Sequence, residues 1–234
     1  METIEDPEQG KKKITELTTF SVLFSLEENK ENLIINTYTH SKAFKEQIIN
    51  EALKLYTQGK IQEAAKHYQF FINQGFSDYM VFYNYGLILK EIGKLKEAEV
   101  SLLKSVELKP DFANTHFALA NLMRDLGKLK EAELRFRKAI EINPKSGELY
   151  NNLGNILRDL GKLQAAERSL RKAIELKPDF AEAHNNLGII LRDLSKSKEA
   201  EIAYRKAIEL KHDYVISYCN LGNILRDLDK LEAA

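Results

Sequence analysis

Asparagine recurs along the chain at a fixed interval, and its side chain can bind a peptide backbone. Asn152, Asn186 and Asn220 are each separated by 34 residues. Because a side-chain amide carries both N–H donors and a carbonyl acceptor, a column of them can pair with the main chain of an extended peptide. Asparagine is also a mediocre helix former, so its repetition in a helical pattern favours a binding role. In the rival hypothesis these polar residues are copied with the repeat and hold no ligand.

The candidate binding residues carry amide or guanidinium groups. They are Asn84, Asn121, Asn151, Asn152, Asn155, Asn185, Asn186, Asn220, Asn223, Arg124, Arg158, Arg192 and Arg226. Guanidinium groups bind carboxylates through paired hydrogen bonds, so the arginines could hold charged groups of a peptide. An acidic residue follows each arginine, and in the alternative hypothesis these opposite charges pair between adjacent units. Such surface pairs contribute about 0–1 kcal/mol, and pairing is the preferred interpretation for any single arginine.

Other residue types capable of chemistry form no site pattern. The five histidines lack the spacing of metal ligands. His116 and His184 share a column with Tyr150 and Tyr218, so we interpret both as packing residues. Cys219 is the single cysteine, which excludes a disulfide within the chain and a multi-thiolate metal site. Since phosphate-binding loops and the common hydrolase, kinase and protease motifs are also missing, we predict no enzyme activity, no cofactor and no metal.

Charge and hydropathy argue against a nucleic-acid or membrane partner. The chain of 234 residues has 35 lysines and arginines and 35 aspartates and glutamates, so it lacks the positive field of a nucleic-acid binder. No apolar run reaches the length of a signal peptide core or a membrane span. We therefore expect a cytoplasmic protein whose partner is a protein or peptide.

A repeat of 34 residues predicts the elements that position the candidate residues. Three columns share this interval and one register. The first contains Gly86, Ala120, Gly154, Gly188 and Gly222. The second contains Ala98, Ala132, Ala166, Ala200 and Ala234. The third contains Pro110, Pro144 and Pro178, and has His212 where a fourth proline would fall.

Each unit is predicted to form a pair of helices. The first helix has an apolar stripe at helical spacing, formed by Leu153, Gly154, Leu157 and Leu160. A second stripe covers 163–174, and Gly161 lies between the two, where it can adopt the left-handed conformation that ends a helix. Pro178 follows the second helix and cannot continue it. Gly154 and Ala166 are small enough for the helices to approach closely, so a bulky side chain there would cost about 1–3 kcal/mol.

These units resemble the tetratricopeptide repeat (TPR), whose pattern fixes eight positions. Counted from its first residue, unit 147–180 supplies Tyr150, Leu153, Gly154, Leu157, Ala166, Leu170, Ala173 and Pro178. The other units are 79–112, 113–146 and 181–214, with a degenerate unit at 45–78 and an incomplete one at 215–234. The resemblance implies an all-α fold in which antiparallel helix pairs form an α-solenoid, a right-handed superhelix. Residues 1–44 are polar and are expected to be flexible and largely disordered, with at most a short element near Leu17–Leu26 or Leu33–Tyr38.

The resemblance also implies that the first helix of each pair lines a concave groove through positions 2, 5, 6, 9, 12 and 13 of the unit. All thirteen candidate residues occupy these positions. The asparagines resemble the ladder in the TPR region of O-linked N-acetylglucosamine transferases. The lysines with which chaperone-binding TPR domains hold a terminal carboxylate are missing at positions 2 and 5, so we expect no such clamp.

The leading functional hypothesis is a scaffold that binds an extended peptide segment in the groove. The alternative is the N-terminal substrate-recognition part of a truncated larger transferase, of glycosyltransferase, sulfotransferase or methyltransferase type, because similar arrays precede such domains. A third hypothesis is a homo-oligomer that buries the open C-terminal end. There the helix containing Leu221, Gly222 and Leu225 is expected to lack a second helix, which would leave its apolar side exposed.

Overall fold

The computed structural model describes the backbone of residues 30–232 and the side chains of residues 42–228. These residues form eleven α-helices and no strand, which confirms the predicted all-α solenoid fold. The helices are α1 (Lys30–Thr57), α2 (Ile61–Asn73), α3 (Tyr79–Glu91), α4 (Leu95–Leu108), α5 (Ala113–Asp125), α6 (Leu129–Ile142), α7 (Gly147–Asp159), α8 (Leu163–Leu176), α9 (Ala181–Asp193), α10 (Ser197–Leu210) and α11 (Val215–Glu232). None of the described helices has both the length and the apolar character needed to cross a membrane.

Consecutive helices pair within each unit. Helix α3 packs against α4, α5 against α6, α7 against α8 and α9 against α10. Only three residues connect the two helices of each of these pairs, so the helices must run antiparallel. Each second helix also contacts the first helix of the next unit. Helices α3, α5, α7, α9 and α11 begin at residues 79, 113, 147, 181 and 215, which are also the starts of the units in the sequence.

Helix α1 is longer than the sequence pattern indicated. It begins at Lys30, so residues 30–44 of the segment expected to be flexible are helical, including the stretch Leu33–Tyr38. This part of the chain contains neither glycine nor proline before Thr57, and nothing in it stops a helix. The stretch Leu17–Leu26 lies outside the described residues.

Bare glycine backbone on the first helix allows close packing in the α7–α8 and α9–α10 pairs. A Cβ atom placed on Gly154 would lie 2.7 Å from Cγ of Leu170, and one on Gly188 would lie 2.6 Å from the ring of Tyr204. Both distances are shorter than real Cβ contacts, so any side chain at these positions would push the helices apart. Leu170 and Tyr204 are fully buried, and burying a leucine side chain such as Leu170 stabilises the fold by about 1.5–3 kcal/mol.

Helix α11 is the last described helix and has a different environment. A Cβ atom on Gly222 would meet no described atom within 4 Å. Ile216 and Tyr218 on the same helix are exposed. Leu221 and Leu225, on which the expected exposed side rested, are half-buried, and the homo-oligomer through this end stays a prediction.

Salt bridges connect the second helices of adjacent repeats. A lysine at the start of each second helix reaches back to a glutamate of the preceding one, giving the pairs Lys128–Glu99 (3.2 Å), Lys162–Glu133 (2.6 Å) and Lys196–Glu167 (3.0 Å). Burial alone raises the pKa of Glu133, but hydrogen bonds from Lys162 and Arg137 outweigh it and leave that pKa lowered. The pKa of Glu167 is lowered in the same way by Arg171 and Lys196, so the carboxylates of Glu133 and Glu167 are held in the ionised form.

His116 lies in the core between α5 and α6. Its side chain is 3% exposed, and Nε2 lies 2.9 Å from the carbonyl oxygen of Pro110. Nε2 must donate to that carbonyl, which leaves Nδ1 deprotonated, and Nδ1 has no hydrogen-bond partner among the described residues. Burial lowers the pKa of His116, against the opposing effect of the bond to Pro110, and the charges of Arg135 and Lys138 lower it further.

A left-handed residue ends the first helix of each pair. Gly127 and Gly161 have φ values of 73° and 72°, and Ser195 stands at the same position with a φ of 61°. The backbone N–H of Ser195 donates to Arg192 and that of Lys196 to Leu191, both at 2.8 Å. Gly161 and the residue after it make the equivalent bonds. The turn therefore forces Ser195 into a conformation that costs a residue with a Cβ atom about 1–2 kcal/mol.

Replacing Ser195 by glycine should stabilise the protein. The Cβ penalty disappears, whereas the unfolded chain gains conformational freedom, so we expect a net gain of about 0.5–1 kcal/mol. The converse change Gly161→Ser should destabilise by a similar amount. Thermal unfolding of the two variants measures both effects. A lower melting temperature for Ser195→Gly would show that the left-handed conformation of Ser195 does not strain the fold.

His116 should make stability depend on pH. Because its folded-state pKa is lowered, the unfolded chain binds a proton first, and the free energy of unfolding should fall as the pH drops below about 6.5. One proton gives a slope of at most about 1.4 kcal/mol per pH unit. His116→Phe should flatten the melting-temperature profile between pH 7 and 5, and His212→Gln, at an exposed position, should not. Identical profiles for His116→Phe and the unmodified chain would contradict this account.

Candidate peptide-binding groove

Local sequence fixes where the candidate helices begin. Asp78 caps α3 by accepting hydrogen bonds from the backbone N–H groups of Met80 at 2.8 Å and Val81 at 3.1 Å. Ser146 accepts from Leu149 and caps α7. Such caps satisfy N–H groups that have no partner within the helix. Among the first helices, α3 contacts α5, α7 contacts α9 and α9 contacts α11, so the polar residues of one can reach the next.

Asn151 is buried at the junction of α7 and α9. Its side chain is 1% exposed. Oδ1 accepts a hydrogen bond from Nδ2 of Asn186 at 3.0 Å, and Nδ2 donates to Oε1 of Glu182 at 3.0 Å. Both ends of the Asn151 amide are therefore bonded to the next repeat.

Asn185 repeats this arrangement at the junction of α9 and α11. Its side chain is 2% exposed, and Oδ1 accepts hydrogen bonds from Oγ of Ser217 and Nδ2 of Asn220, both at 3.0 Å. We call the four residues Asn151, Asn185, Asn186 and Asn220 the asparagine relay. The relay joins three successive repeats through side chains alone.

The relay corrects the predicted role of two residues. Asn151 and Asn185 lack the exposed surface that contact with a peptide requires, because their amides are enclosed and bonded within the fold. Asn186 and Asn220 are half-buried, and each donates from Nδ2 to its relay partner. Each of these hydrogen bonds contributes roughly 1 kcal/mol to stability. Glu182 and Ser217, which complete the relay, escaped the sequence analysis.

At two junctions, a basic residue at position 12 forms a salt bridge with an acidic residue at position 13 of the next repeat. Lys90 Nζ lies 2.8 Å from Oδ2 of Asp125, and Arg158 Nε lies 3.2 Å from Oδ2 of Asp193, each pair joining consecutive repeats. Arg192 binds the same Asp193 at 3.1 Å. Burial raises the pKa of Asp125, but the hydrogen bond and charge of Lys90 prevail, so that pKa is lowered. Pairing between repeats, the preferred interpretation from sequence, therefore accounts for Arg158.

The remaining candidate residues lie on four different first helices. Asn84 is half-buried on α3. Asn223 is exposed on α11, and its Oδ1 accepts a hydrogen bond from Arg226 at 3.3 Å. The other candidate residues lie on α5 and α7.

Helices α5 and α7 carry polar groups that are not used within the fold. Asn121 and Asn155 are half-buried at the same position of consecutive units, and the described residues offer them no hydrogen bond. Asn152 donates from Nδ2 to the carbonyl oxygen of Glu148 at 2.8 Å, which leaves Oδ1 available.

Two charged residues of the same helices, Arg124 and Asp159, form no salt bridge to another repeat. Arg124 is exposed, and its nearest carboxylate is that of Asp125, at 3.5 Å on its own helix. Asp159, its counterpart on α7, is exposed and forms no ion pair with the described residues. We call Asn121, Arg124, Asn152, Asn155 and Asp159 the α5–α7 set. It combines N–H donors, carbonyl acceptors and one charge of each sign on neighbouring first helices.

Comparison with known proteins identifies the repeat. Models described as tetratricopeptide or TPR repeats match residues 81–112, 113–146, 136–168, 154–195 and 181–214. Together these matches span 81–214, more than half of the chain. No curated protein sequence matches it.

Solved structures of other TPR proteins have the same fold. MamA from Desulfovibrio magneticus RS-1 is 19% identical with a TM-score of 0.68, over 73% of this chain and 96% of that one. YrrB, described as a TPR protein with an unusual peptide-binding site, is 22% identical with a TM-score of 0.65, over 76% and 95%. A tetratricopeptide repeat protein from Parabacteroides merdae is 19% identical with a TM-score of 0.71, over 80% and 74%. The matched repeats and the packing of their helix pairs show that the chain belongs to the tetratricopeptide-repeat family.

Proposed function

We propose that the chain is a protein-interaction scaffold that binds an extended peptide segment against α5 and α7. The observation that carries this proposal is the α5–α7 set, in which the amides of Asn121 and Asn155 and the Oδ1 of Asn152 make no hydrogen bond with the described residues. Between α7 and α11, by contrast, the asparagine relay uses the corresponding amides. A buried or half-buried polar group gains from a partner, and an incoming peptide backbone supplies one.

The chemistry of the set matches an extended main chain. The amides of Asn121 and Asn155 can each accept from a peptide N–H and donate to a peptide carbonyl. Since such bonds ignore side chains, they would bind many sequences. Arg124 and Asp159 add a preference for peptides with charged side chains, since a guanidinium group holds a carboxylate in a paired geometry.

YrrB provides independent support for the peptide as ligand. It has the same fold and is described as having a peptide-binding site. The transferase alternative assigns the same recognition role to the repeats and would use the same residues. The cytoplasmic location and the lack of nucleic-acid and membrane partners stay predictions from the sequence.

The double variant Asn121→Ala/Asn155→Ala tests the proposal. Peptides selected from a random display library on the unmodified chain serve as probes, and fluorescence anisotropy measures their affinity. Loss of two amides worth about 0.5–1.5 kcal/mol each should weaken binding roughly tenfold or more. Because alanine is the better helix former, the melting temperature should not fall.

The matched control is Asn186→Ala/Asn220→Ala, the same change within the relay. It should lower the free energy of unfolding by about 1–3 kcal/mol, because it leaves the buried Oδ1 of Asn151 unpaired and removes one of the two hydrogen bonds to Oδ1 of Asn185. Its affinity for the selected peptides should stay near that of the unmodified chain. If this control loses affinity without losing stability, the binding site lies on the relay and the proposal is wrong. Unchanged affinity of Asn121→Ala/Asn155→Ala would also reject it.

A further inference from the structure

Apolar side chains occupy groove positions on the first helices upstream of the α5–α7 set. They stand at positions 2, 5, 9 or 12 of their units on α1, α3 and α5: Leu53, Tyr56, Met80, Tyr83, Leu87 and Phe117. We call these six residues the apolar band. Leu53, Tyr56 and Met80 are 41%, 43% and 38% exposed, and the other three are half-buried. Single exposed apolar residues are ordinary on a protein surface, but several on one face mark a contact surface.

The band is centred on α3. Met80, Tyr83 and Leu87 stand at positions 2, 5 and 9 of their unit, and helical spacing puts them on one face. Among the first helices of the described part of the chain, α3 alone is apolar at all three positions, whereas α7 has a glutamate and two asparagines there. The groove face therefore changes from apolar to polar between α3 and α7.

Packing within the fold holds two rings of the band in place. The ring of Tyr83 meets that of Phe112 edge to face, with 5.4 Å between the centroids, and the ring of Phe117 meets that of Phe136 at 5.9 Å. Tyr83 and Phe117 nevertheless keep part of their surface exposed. This apolar surface is formed before a ligand arrives, which lowers the entropy cost of binding.

The hydroxyl group of Tyr83 distinguishes between kinds of ligand. It makes no hydrogen bond with the described residues, whereas Tyr85 donates to Gln69 at 2.6 Å and Tyr56 donates to Glu91 at 3.3 Å. Burial raises the pKa of Tyr83, so the hydroxyl keeps its proton and can donate. A purely hydrocarbon ligand would cover the ring and leave this donor unpaired. A peptide segment supplies main-chain carbonyl oxygens together with apolar side chains.

The band and the α5–α7 set are continuous on α5. Phe117, Asn121 and Arg124 are spaced at i, i+4 and i+7, so they share one face of that helix. Helix α3 contacts α5, and Lys90 of α3 bonds to Asp125 of α5 at 2.8 Å. A segment that bonds to Asn121 and continues away from α7 therefore passes Phe117 and then reaches α3.

We propose that the apolar band binds large apolar side chains of the same peptide segment whose main chain bonds to the α5–α7 set. The inference rests on the proposed function and names the chemistry of the partner. That partner is an extended segment with charged residues near one end of its bound length and large apolar residues near the other. Each apolar side chain that leaves water on the band adds affinity. The band thus selects among the many sequences that main-chain hydrogen bonds alone would accept.

The double variant Leu53→Gln/Met80→Gln tests the band, with the peptides selected on the unmodified chain as probes. Both side chains are partly exposed, so the melting temperature should change little. Affinity measured by fluorescence anisotropy should fall roughly tenfold, because apolar contacts are lost. The matched control is Leu134→Gln/Ile216→Gln, which changes two aliphatic residues outside the band that are 66% and 55% exposed. It should bind like the unmodified chain.

A second measurement connects the band to particular side chains of the peptide. Replacing a large apolar residue of a selected peptide by alanine should weaken its binding to the unmodified chain roughly tenfold. The same replacement should matter much less for binding to Leu53→Gln/Met80→Gln, since the contact is already lost there. Equal losses on the two proteins for every apolar residue of the peptide would overturn the proposal.

The variants separate this inference from the proposed function. Unchanged affinity of Leu53→Gln/Met80→Gln, with a loss for Asn121→Ala/Asn155→Ala, rejects the band and keeps the peptide site. The reverse pattern rejects the α5–α7 set and supports the band as the apolar contact. Selected peptides without large apolar residues would overturn the inference. So would a dimer in sedimentation velocity that becomes monomeric in Leu53→Gln/Met80→Gln, because the band would then bind a second copy. A chain that selects no peptide at all rejects both proposals.

Discussion

The short distance between the two helices of each pair is the constraint on which the rest of the structure depends. Leu170 packs against the bare backbone of Gly154, and Tyr204 packs against Gly188 in the same way. This contact fixes how the second helix lies on the first, and the second helix in turn supports the next repeat. In these two pairs the position of the groove residues therefore depends on glycine Cα atoms that carry no side chain.

The junctions between repeats are not equivalent, although their sequences repeat. Asn151 and Asn185 stand where the earlier repeats have Tyr83 and Phe117. Phe117 has no hydrogen-bonding group, and Ala118 stands where the repeat after Tyr83 would need an asparagine, so the relay extends only from α7 to α11. Upstream of it the amides of α5 and α7 keep free hydrogen-bonding capacity. A change of residue type at position 5 thus separates Asn152, whose counterpart across the junction is Phe117, from Asn186 and Asn220, which bond to Asn151 and Asn185.

Residues that repeat every 34 positions predicted the fold well, because each column reflects a contact made within one unit. Gly161 and Pro178 marked helix ends, and Gly154 and Ala166 marked the close approach. The same columns could not distinguish the uses of asparagine. Whether Asn186 bonds to Asn151 or faces a ligand depends on the rotation between successive helices, which no single unit encodes. A separation of 35 residues between asparagines at positions 5 and 6 was the available signal, since it pairs Asn151 with Asn186 and Asn185 with Asn220.

The asparagine relay also has a mechanical consequence. Hydrogen bonds between successive first helices resist stretching and shear, so repeats joined by the relay behave as a stiff segment. The repeats from α3 to α7 lack these bonds and are expected to deform more under the same load. When a bound segment is slightly too long or too short for the groove, the elastic strain concentrates in this softer part. If a segment binds against α5 and α7 as proposed, the array would adapt its length there while the repeats joined by the relay keep their register.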